Sequence, residues 1–272
     1  MKNKKNKIYA KLKNLLPKGV YLKALEVFLF FRAIKYIGNE VYCPCCNNSF
    51  KKFYPDWIYG QCPRCGSSAR HRLLILYLER KTNYFKKKLK VLHFAPENGL
   101  YRKFKKMKNL DYIAADIGSP RAKYKIDMTN IPFEDDSFDV VLSIHVLEHI
   151  EDDLKAIKEL YRVQKRTGWS IHLVPITKTY ETTYERIDVT SDNERRKYYG
   201  HPDHRRICGL DYYERFRKIG FDVIPDDFAN DLLQSDIKKY GINPEEIIYL
   251  CLKNEKIKLT NYNKIVDSNL IL

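Results

Sequence analysis

VLHFAPENGL, residues 91–100, follows a Lys-rich run and joins a short apolar segment to a Pro-Glu-Asn-Gly turn. This pattern predicts a buried strand, a tight turn and then a helix. At the carboxyl end of the first strand of an open parallel sheet, such a turn brings backbone N–H groups and a helix N-terminus close to a nucleotide-like ligand. Because Gly99 alone is far from a Gly-rich fingerprint, an ordinary strand and turn is the alternative.

Strands and helices are predicted to alternate from residue 91 onward, as in a parallel sheet covered by helices on both faces. Asp152 and Asp153 favour the start of a helix whose apolar residues repeat on one face. Asp116 closes the second strand nineteen residues after Glu97, where a carboxylate can accept both hydroxyls of a ribose. The predicted strands are residues 91–95, 112–116, 138–144, 170–175, 221–224 and 247–252.

The length of 272 residues allows one α/β domain of about 180 residues plus a smaller appendage. There is no run of 18 apolar residues, so no transmembrane segment is expected. The apolar stretch 24–33 is interrupted by Glu26 and Arg32 and lacks a following cleavage site, which argues against a secretory signal. Seven cysteines, four of them in two close pairs, suit thiolates that hold a metal in a reducing cytosol, so a cytoplasmic location is expected.

The positive charge is confined to one part of the chain. Residues 1–90 carry a net charge of +17, whereas residues 91–272 carry −1. Codon bias toward lysine would affect both parts alike. The basic third, residues 1–90, therefore indicates RNA or an anionic membrane surface as a partner. Membrane binding would give the protein a peripheral location. The alternative is that these residues contact only the protein's own domain.

A basic helical segment is predicted over residues 1–40, as two short helices broken near Pro17 and Gly19. One hypothesis is an amphipathic segment that lies on membrane or nucleic acid, with its lysines meeting phosphates. The favoured hypothesis is that the apolar face packs on the rest of the protein. That face consists of Val27, Phe28, Phe30 and Phe31.

Cys43, Cys46, Cys62 and Cys65 form the pattern C-x2-C-x15-C-x2-C. This spacing supplies four thiolates to a tetrahedral Zn²⁺ and predicts a zinc ribbon over residues 41–70. A tetrathiolate site has no open coordination position, so its role would be structural. Isolated cysteines are the alternative, and a further thiol within the first knuckle, at position 45, could substitute for a neighbour.

The segment 69–78 is predicted to be a helix that leads from the ribbon into a main domain over residues 71–255. Arg70, His71 and Arg72 at its start would bind an acidic group or cap the knuckle carbonyls. Residues 86–90 are expected to be a solvated connection, and residues 256–272 a C-terminal tail.

Four stretches carry a resemblance to a known family: VLHFAPENGL, YIAADIGSP, IDMTNIPFEDDSFDVVLSIHVLEHIEDD and AIKELYRVQKRTGWSIHLVPI. In order and spacing they resemble the class I S-adenosylmethionine-dependent methyltransferases, specifically the methyltransferase type 11 group. The ribbon followed by RHRLL and HFAPE is similar to a zinc-ribbon-bearing subgroup. The resemblance implies a Rossmann-like α/β fold with a largely parallel seven-stranded sheet, S-adenosylmethionine as cofactor and structural Zn. It covers residues 90–176 well and the remainder to Leu252 loosely.

The resemblance implies roles position by position. The loop 95–99 would hold the methionine part of the cofactor, with Glu97 at its ammonium; Asp116 would bind the ribose, Asp127 would contact adenine, and His145 would face the reacting centre. The implied cofactor-binding residues are His93, Phe94, Ala95, Glu97, Gly99, Asp116, Ile117, Asp127, Met128, Ile144 and His145.

The chain departs from the family pattern in three places. His93 replaces the usual acidic residue before the loop, and Ala95 and Glu97 replace two usual glycines. QKRTG at 164–168 stands where a Leu-Lys-Pro-Gly-Gly turn is usual.

Methyl transfer is a displacement at a sulfonium carbon, so the enzyme mainly aligns the acceptor and excludes water. A hydroxyl acceptor also needs a base. In some quinone-type O-methyltransferases a Glu-x-x-Glu-His group binds a divalent cation, and this chain has His145-x-x-Glu148-His149 at that place; helix capping and packing is the alternative for the last two. The candidate catalytic residues are His145, Glu148, His149, Asp203 and His204.

Residues 177–209 combine aromatic rings with guanidinium groups and are expected to form an acceptor lid that suits a sugar, a phosphate or a nucleotide. The favoured hypothesis is a methyltransferase that acts on a hydroxyl or similar group of a small-molecule or glycan-type acceptor. One alternative is an RNA methyltransferase that uses the basic zinc-ribbon third for RNA binding. The other is a non-catalytic binding scaffold.

Overall fold

The computed structural model describes residues 17–55 and 59–253 of the chain. Its N-terminal part contains α1 (Lys18–Ile34) and a hairpin of β1 (Val41–Cys43) and β2 (Asn48–Phe50). The other helices and strands follow in chain order: α2 (Ala69–Lys81), β3 (Leu89–Phe94), α3 (Asn98–Phe104), β4 (Leu110–Ala115), β5 (Phe138–Ile144), α4 (Asp153–Val163), β6 (Gln164–Leu173), α5 (Asp192–Tyr199), α6 (Tyr213–Ile219), β7 (Asp222–Asp226), α7 (Gln234–Tyr240) and β8 (Ile248–Leu252). Short 3-10 turns form at Leu147–His149, Leu210–Tyr212 and Phe228–Asp231.

The main sheet has six strands in the order β4-β3-β5-β6-β8-β7. Strands β3 to β6 are parallel, whereas β8 runs antiparallel to its neighbours β6 and β7. Successive side chains of β5 enter two apolar clusters: Val140 and Leu142 pack with α2, and Val141 packs with α4 and α6. The predicted Rossmann-like α/β fold with helices on both faces is therefore confirmed.

The expected count of seven strands is wrong for the described residues. Each of the six strand segments predicted from the sequence forms, although the ends shift. Residues 116–137, which follow β4, add only isolated bridges, one of them between Tyr124 and Ala115. Pro120 and the turns around Asp127 prevent a continuous ladder there, because proline cannot donate and an Asx side chain bonds its own backbone.

Residues 164–168 extend β6 instead of forming the turn implied by the family pattern. Gln164 pairs with Phe138, and the register then shifts before Val140 pairs with Trp169. A Cβ at Gly168 would lie 2.7 Å from the carbonyl oxygen of Asp139. Glycine is therefore required where this irregular strand crosses its neighbour closely.

Helix α1 corresponds to the second of the two short helices expected near the N-terminus, whereas the first lies outside the described residues. Pro17 is the N-cap residue of α1, so the helix begins directly after the proline and includes Gly19. The lysines expected at positions 2–13 lie outside the described residues, as does the tail at 256–272. The proposed domain boundaries, 1–40, 41–70 and 71–255, stay predictions.

The apolar face of α1 is largely exposed, so the expectation that it packs on the rest of the protein is wrong. Val27, Phe30 and Phe31 are 55%, 52% and 61% exposed, whereas Leu29 is buried. Among the described residues, no helix is long and apolar enough to cross a membrane.

Arg72 joins the ribbon to the sheet domain. Its guanidinium is fully buried and donates to the carbonyls of Gly60 and Ser67 at 2.9 Å each and of Gly241 at 2.7 Å, and also to that of Tyr240. The first two carbonyls belong to the ribbon and the last two to the end of α7. Of the two roles predicted for Arg72, capping of the knuckle carbonyls is the one observed.

His172, in β6, is buried between two serine hydroxyls. Its Nδ1 lies 2.7 Å from Ser143 Oγ, its Nε2 lies 2.9 Å from Ser170 Oγ, and its ring stacks on Phe216. Burial lowers the pKa of His172 to about 3. Between about pH 6.5 and pH 3 the imidazole is therefore protonated in the unfolded chain but neutral in the folded protein.

We expect the stability of the fold to decrease on acidification because of His172. Below its ordinary pKa of 6.5 the unfolded chain binds a proton that the folded chain does not, so the free energy of unfolding falls as the pH falls. Between about pH 7 and about pH 5 this one group should cost about 2 kcal/mol. Urea denaturation of wild type and His172→Gln at both pH values measures the effect. An unchanged pH difference in the variant would assign the loss to other groups.

Candidate functional site

A cavity of about 750 Å³ lies at the carboxyl ends of β3, β4 and β5. In open parallel sheets this edge is where ligands bind. Ala95 follows β3, Asp116 follows β4 and His145 follows β5, so one residue from each strand end lines the cavity. Further predicted cofactor residues in the lining are Phe94, Ile117, Asp127 and Met128.

The backbone turns sharply at two of these strand ends. Ala95 and His145 have φ angles of 49° and 53°, which non-glycine residues rarely adopt. Each is held by its neighbouring strand, since the Ala95 N–H donates to Ala115 at 2.9 Å and the His145 N–H donates to Leu173 at 2.8 Å. The two turns shape the floor of the cavity, and the family's usual glycine at position 95 is replaced here at a cost of roughly 1 kcal/mol.

Asp116 and Asp127 present carboxylates that are fixed on one side. Asp116 Oδ1 accepts from the N–H groups of Gly118 and Ser119 at 2.6 and 2.5 Å. Asp127 Oδ1 accepts from the N–H and hydroxyl of Thr129 at 2.8 and 2.9 Å. Since a carboxylate has a second oxygen, each side chain is oriented and can still accept hydrogen bonds from a ligand.

His145 lies between two acidic side chains on the cavity wall. Its Nδ1 is 3.4 Å from Glu148 Oε1, and its Nε2 is 3.7 Å from Glu246 Oε2. Burial lowers the pKa of His145 and raises the pKa of Glu148 to about 8. At neutral pH the imidazole is therefore unprotonated and the Glu148 carboxyl is largely protonated, which makes the pair suited to proton transfer.

His149 also lines the cavity and approaches two histidines of the segment 177–209. The ring nitrogens of His149, His201 and His204 lie within 4.8 Å of one another. Burial lowers the pKa of His149, and it lowers that of His204 to about 4. The Asp203 carboxylate is exposed, whereas the Asp203 carbonyl lies 3.1 Å from His149 Nδ1.

The segment 177–209 is anchored onto the turn that carries His149. The buried Arg206 guanidinium donates to the carbonyls of Leu147, Ile150 and Glu151 at 2.7–3.0 Å. It also pairs with Glu185 at 2.8 Å. This arginine is therefore used to hold the proposed lid in place, while the neighbouring Arg205 lines the cavity.

Three predicted cofactor residues lie toward the ribbon instead of in the cavity lining. The Glu97 carboxylate is 2.6 Å from His71 Nε2 and 3.6 Å from His93 Nε2, and His93 Nδ1 is 2.8 Å from the Tyr112 hydroxyl. These histidines outweigh the effect of burial and hold the pKa of Glu97 well below its usual range. A Cβ at Gly99 would lie 3.1 Å from Cys65 Sγ. The remaining predicted cofactor residue, Ile144, is the buried last residue of β5.

Two further residues at the site, Glu246 beside His145 and Lys155 in the cavity lining, could not be identified from the sequence. Glu246 precedes β8 in a Pro-Glu-Glu stretch that carries no motif, and only the fold brings it to His145. Lys155, in the first turns of α4, lines the cavity as well. No local sequence signal distinguishes either residue from an ordinary surface charge.

The four predicted metal ligands form one cluster. The Sγ atoms of Cys43 and Cys65 are 3.7 Å apart, and those of Cys46 and Cys62 are 3.6 Å apart. Tetrahedral zinc with Zn–S bonds of about 2.3 Å places its sulfur atoms about 3.8 Å apart. All four ligand atoms lie within 4.8 Å of one another, so the cluster fits a zinc ion with little change.

A family model agrees with this architecture. Residues 100–172 match the type 11 family whose description is methyltransferase domain. The matched region contains β4, β5, α4 and nearly all of β6, and hence two of the strand ends that form the cavity. No curated protein matches the chain.

Several solved structures are similar to the chain. A phosphoethanolamine N-methyltransferase of Haemonchus contortus has a TM-score of 0.47 and 17% identity, over 74% of this chain and 56% of that chain. The PH0226 protein from Pyrococcus horikoshii OT3 has a TM-score of 0.45 and 17% identity, over 69% and 93%. A methyltransferase solved in complex with the Haloferax volcanii activator Trm112 has a TM-score of 0.43 and 16% identity, over 62% and 84%.

The matched methyltransferase domain supports an S-adenosylmethionine-dependent methyltransferase, and the Rossmann-like sheet with its cavity at the strand ends is the fold expected for class I of these enzymes. Within this class the match is to the type 11 group, and the four-cysteine cluster supports the zinc-ribbon-bearing subgroup. The predicted class of enzyme is thereby confirmed.

Proposed function

We propose that the enzyme methylates a hydroxyl or similar group of a small-molecule or glycan-type acceptor in the cavity at the strand ends. The supporting observation is the position of His145, which follows β5 and lines the same cavity as the two oriented carboxylates, and burial lowers the pKa of its imidazole. A hydroxyl becomes nucleophilic as its proton leaves, and a neutral imidazole is the side chain that accepts protons at neutral pH. Lys155 and Arg205 on the same wall suit an acceptor that carries negative charge.

In this proposal Asp116 accepts hydrogen bonds from the ribose hydroxyls and Asp127 binds the adenine side. Bound S-adenosylmethionine supplies an electrophilic methyl group on a sulfonium. His145 then accepts the acceptor's proton, and Glu148 and Glu246 hold its ring. The folded segment 177–209 excludes water above the reacting atoms.

The experiment that tests the cofactor site is calorimetric titration with S-adenosylmethionine. Wild-type protein should bind it, and Asp116→Ala should weaken binding about tenfold or more, since hydrogen bonds to a charged group contribute about 1.5–3 kcal/mol. Asp111→Ala is the matched control, because Asp111 is exposed and lies near the opposite end of the same strand. Equal loss in both variants would contradict the assigned role of Asp116.

The acceptor class is tested by release of S-adenosylhomocysteine with sugars, phosphorylated sugars and RNA as acceptors. Turnover of a hydroxyl-bearing small molecule that is lost in His145→Gln supports the proposal. Turnover of RNA alone, with affinity that falls steeply with salt, would favour the RNA methyltransferase hypothesis. Failure of wild type to bind the cofactor would favour the scaffold hypothesis.

We also propose that the four-cysteine cluster binds one structural zinc ion. Cys62→Ser should lose the metal and destabilise the ribbon, because binding of structural zinc contributes directly to folding. Cys45→Ser is the matched control, since this neighbouring buried thiol is not part of the cluster. Elemental analysis and thermal denaturation check both variants. Loss of zinc from the control would make Cys45 a ligand.

We propose further that α1 attaches the enzyme to an anionic membrane surface. Exposed aromatic and aliphatic side chains on α1 fit the boundary between headgroups and acyl chains, and the net charge of +17 over residues 1–90 attracts anionic lipid. The positive charge would also bind RNA, but RNA binding does not explain why valine and isoleucine side chains are exposed there. The membrane hypothesis is therefore favoured.

Flotation with vesicles of phosphatidylcholine and phosphatidylserine tests this attachment. The double variant Phe30→Ser, Phe31→Ser should lose most of the binding, and omission of phosphatidylserine should weaken it. Ile187→Ser is the control, because Ile187 is fully exposed but lies in the segment 177–209. Binding that is the same for all three proteins would refute a role of α1.

A further inference from the structure

Three imidazoles meet where the cavity wall contacts the segment 177–209. The rings of His149 and His204 have centroids 4.9 Å apart, and those of His201 and His204 are 4.8 Å apart. His149 comes from the 3-10 turn after β5, and the other two come from a region more than fifty residues later in the chain. The fold thus collects three nitrogen donors at one point on the edge of the cavity.

The hydrogen bonds of His149 leave a lone pair for this cluster. Its Nδ1 lies 3.1 Å from the Asp203 carbonyl oxygen, and because a carbonyl only accepts, Nδ1 must carry the proton. Nε2 therefore keeps its lone pair. Histidines that ligate metals commonly donate their other ring N–H to a backbone carbonyl in this way.

The second histidine also offers a lone pair. The Asp203 N–H donates to His201 Nδ1 at 3.2 Å, a long hydrogen bond that a metal–nitrogen bond would replace at small cost. Asp203 thus contacts two of the three rings through its backbone. This explains the position of Asp203 in the cluster without a role for its exposed carboxylate.

We propose that His149, His201 and His204 bind a divalent transition-metal ion at the edge of the cavity. Three imidazoles favour Zn²⁺, Fe²⁺, Co²⁺ or Ni²⁺ over Mg²⁺ or Ca²⁺, which prefer oxygen. Nitrogens around Zn²⁺ at about 2.0–2.1 Å are roughly 3.3 Å apart, so the three rings need only close together from their present separation of at most 4.8 Å. His201 is half-exposed, and its ring has room to move.

A three-nitrogen set leaves at least one coordination position open, in contrast to the closed four-cysteine cluster. This open position matters only if the proposed methylation of a hydroxyl is correct, on which this part of the inference rests. The metal ion would then bind the acceptor's oxygen and lower the pKa of its hydroxyl, while His145 stays available for the proton.

The site differs from the cation site expected from the family pattern. That pattern would use His145, Glu148 and His149, which are close in the sequence. The observed cluster takes only His149 from this motif and adds two histidines of the segment 177–209.

Cobalt titration tests the site directly. Untagged protein with its four-cysteine cluster filled with zinc is dialysed against Co²⁺, and bound cobalt is counted by elemental analysis. One Co²⁺ per chain should bind, with the visible d–d bands of a nitrogen and oxygen site and without sulfur-to-cobalt charge transfer. His201→Gln and, separately, His204→Gln should weaken the binding about 100-fold or more.

Glu151→Gln is the matched control, because Glu151 lines the same cavity and is highly exposed, and this variant should keep its cobalt. Absence of a cobalt equivalent in wild type, or unchanged binding in both histidine variants, would overturn the proposal. Titration with S-adenosylmethionine on the same samples separates the two questions. Cobalt binding without cofactor binding would support the metal site and refute the proposed methylation. Cofactor binding without cobalt binding would refute the metal site and leave the proposed methylation supported.

Discussion

A buried cation, the guanidinium of Arg72, ties the ribbon to the sheet domain. It donates to two carbonyls of the ribbon and to two at the end of α7, and its guanidinium carbon lies 3.8 Å from the centroid of the Phe53 ring. Without it the carbonyls of Gly60, Tyr240 and Gly241 would lose this donor, whereas that of Ser67 would keep the N–H of Cys62, and each unmade buried hydrogen bond costs about 1–3 kcal/mol. The proposed zinc site, with four thiolates around Zn²⁺, would carry a net charge of −2. The positive charge of Arg72 would offset part of it.

The ribbon also contacts the cofactor loop, through residues next to Arg72 and through the second cysteine knuckle. His71, one residue before Arg72, binds the Glu97 carboxylate in the turn after β3. The Asn98 side chain donates to the Cys65 carbonyl at 3.0 Å. The turn that begins α3 is consequently held by the second cysteine knuckle, so the four-cysteine ribbon directly supports the loop after β3.

The sequence was sufficient for features that depend on local pattern. Six strands, the four cysteines and Asp116 were predicted because apolar runs, C-x2-C spacing and an acidic residue at a strand end each have a local cause, whereas Asp127 was predicted from the family resemblance. The seventh strand came from the family resemblance, and the turns around Asp127 prevent it. Glu246 and the histidine cluster could not be predicted, since residues distant in the sequence meet only after the sheet has formed. The exposure of Phe30 and Phe31 likewise depends on tertiary packing, which periodicity does not encode.

Gly99 looks in the sequence like part of a nucleotide-binding turn, yet its neighbours are Cys65, Ser67 and Cys45, with the nearest sulfur 3.1 Å from where a Cβ would stand. A side chain at this position would therefore collide with the four-cysteine cluster. Without the cysteines, the close contact at this position would be weaker and a larger residue would meet less steric resistance. The glycine and the four thiols should accordingly be inherited and lost together, as one evolutionary unit.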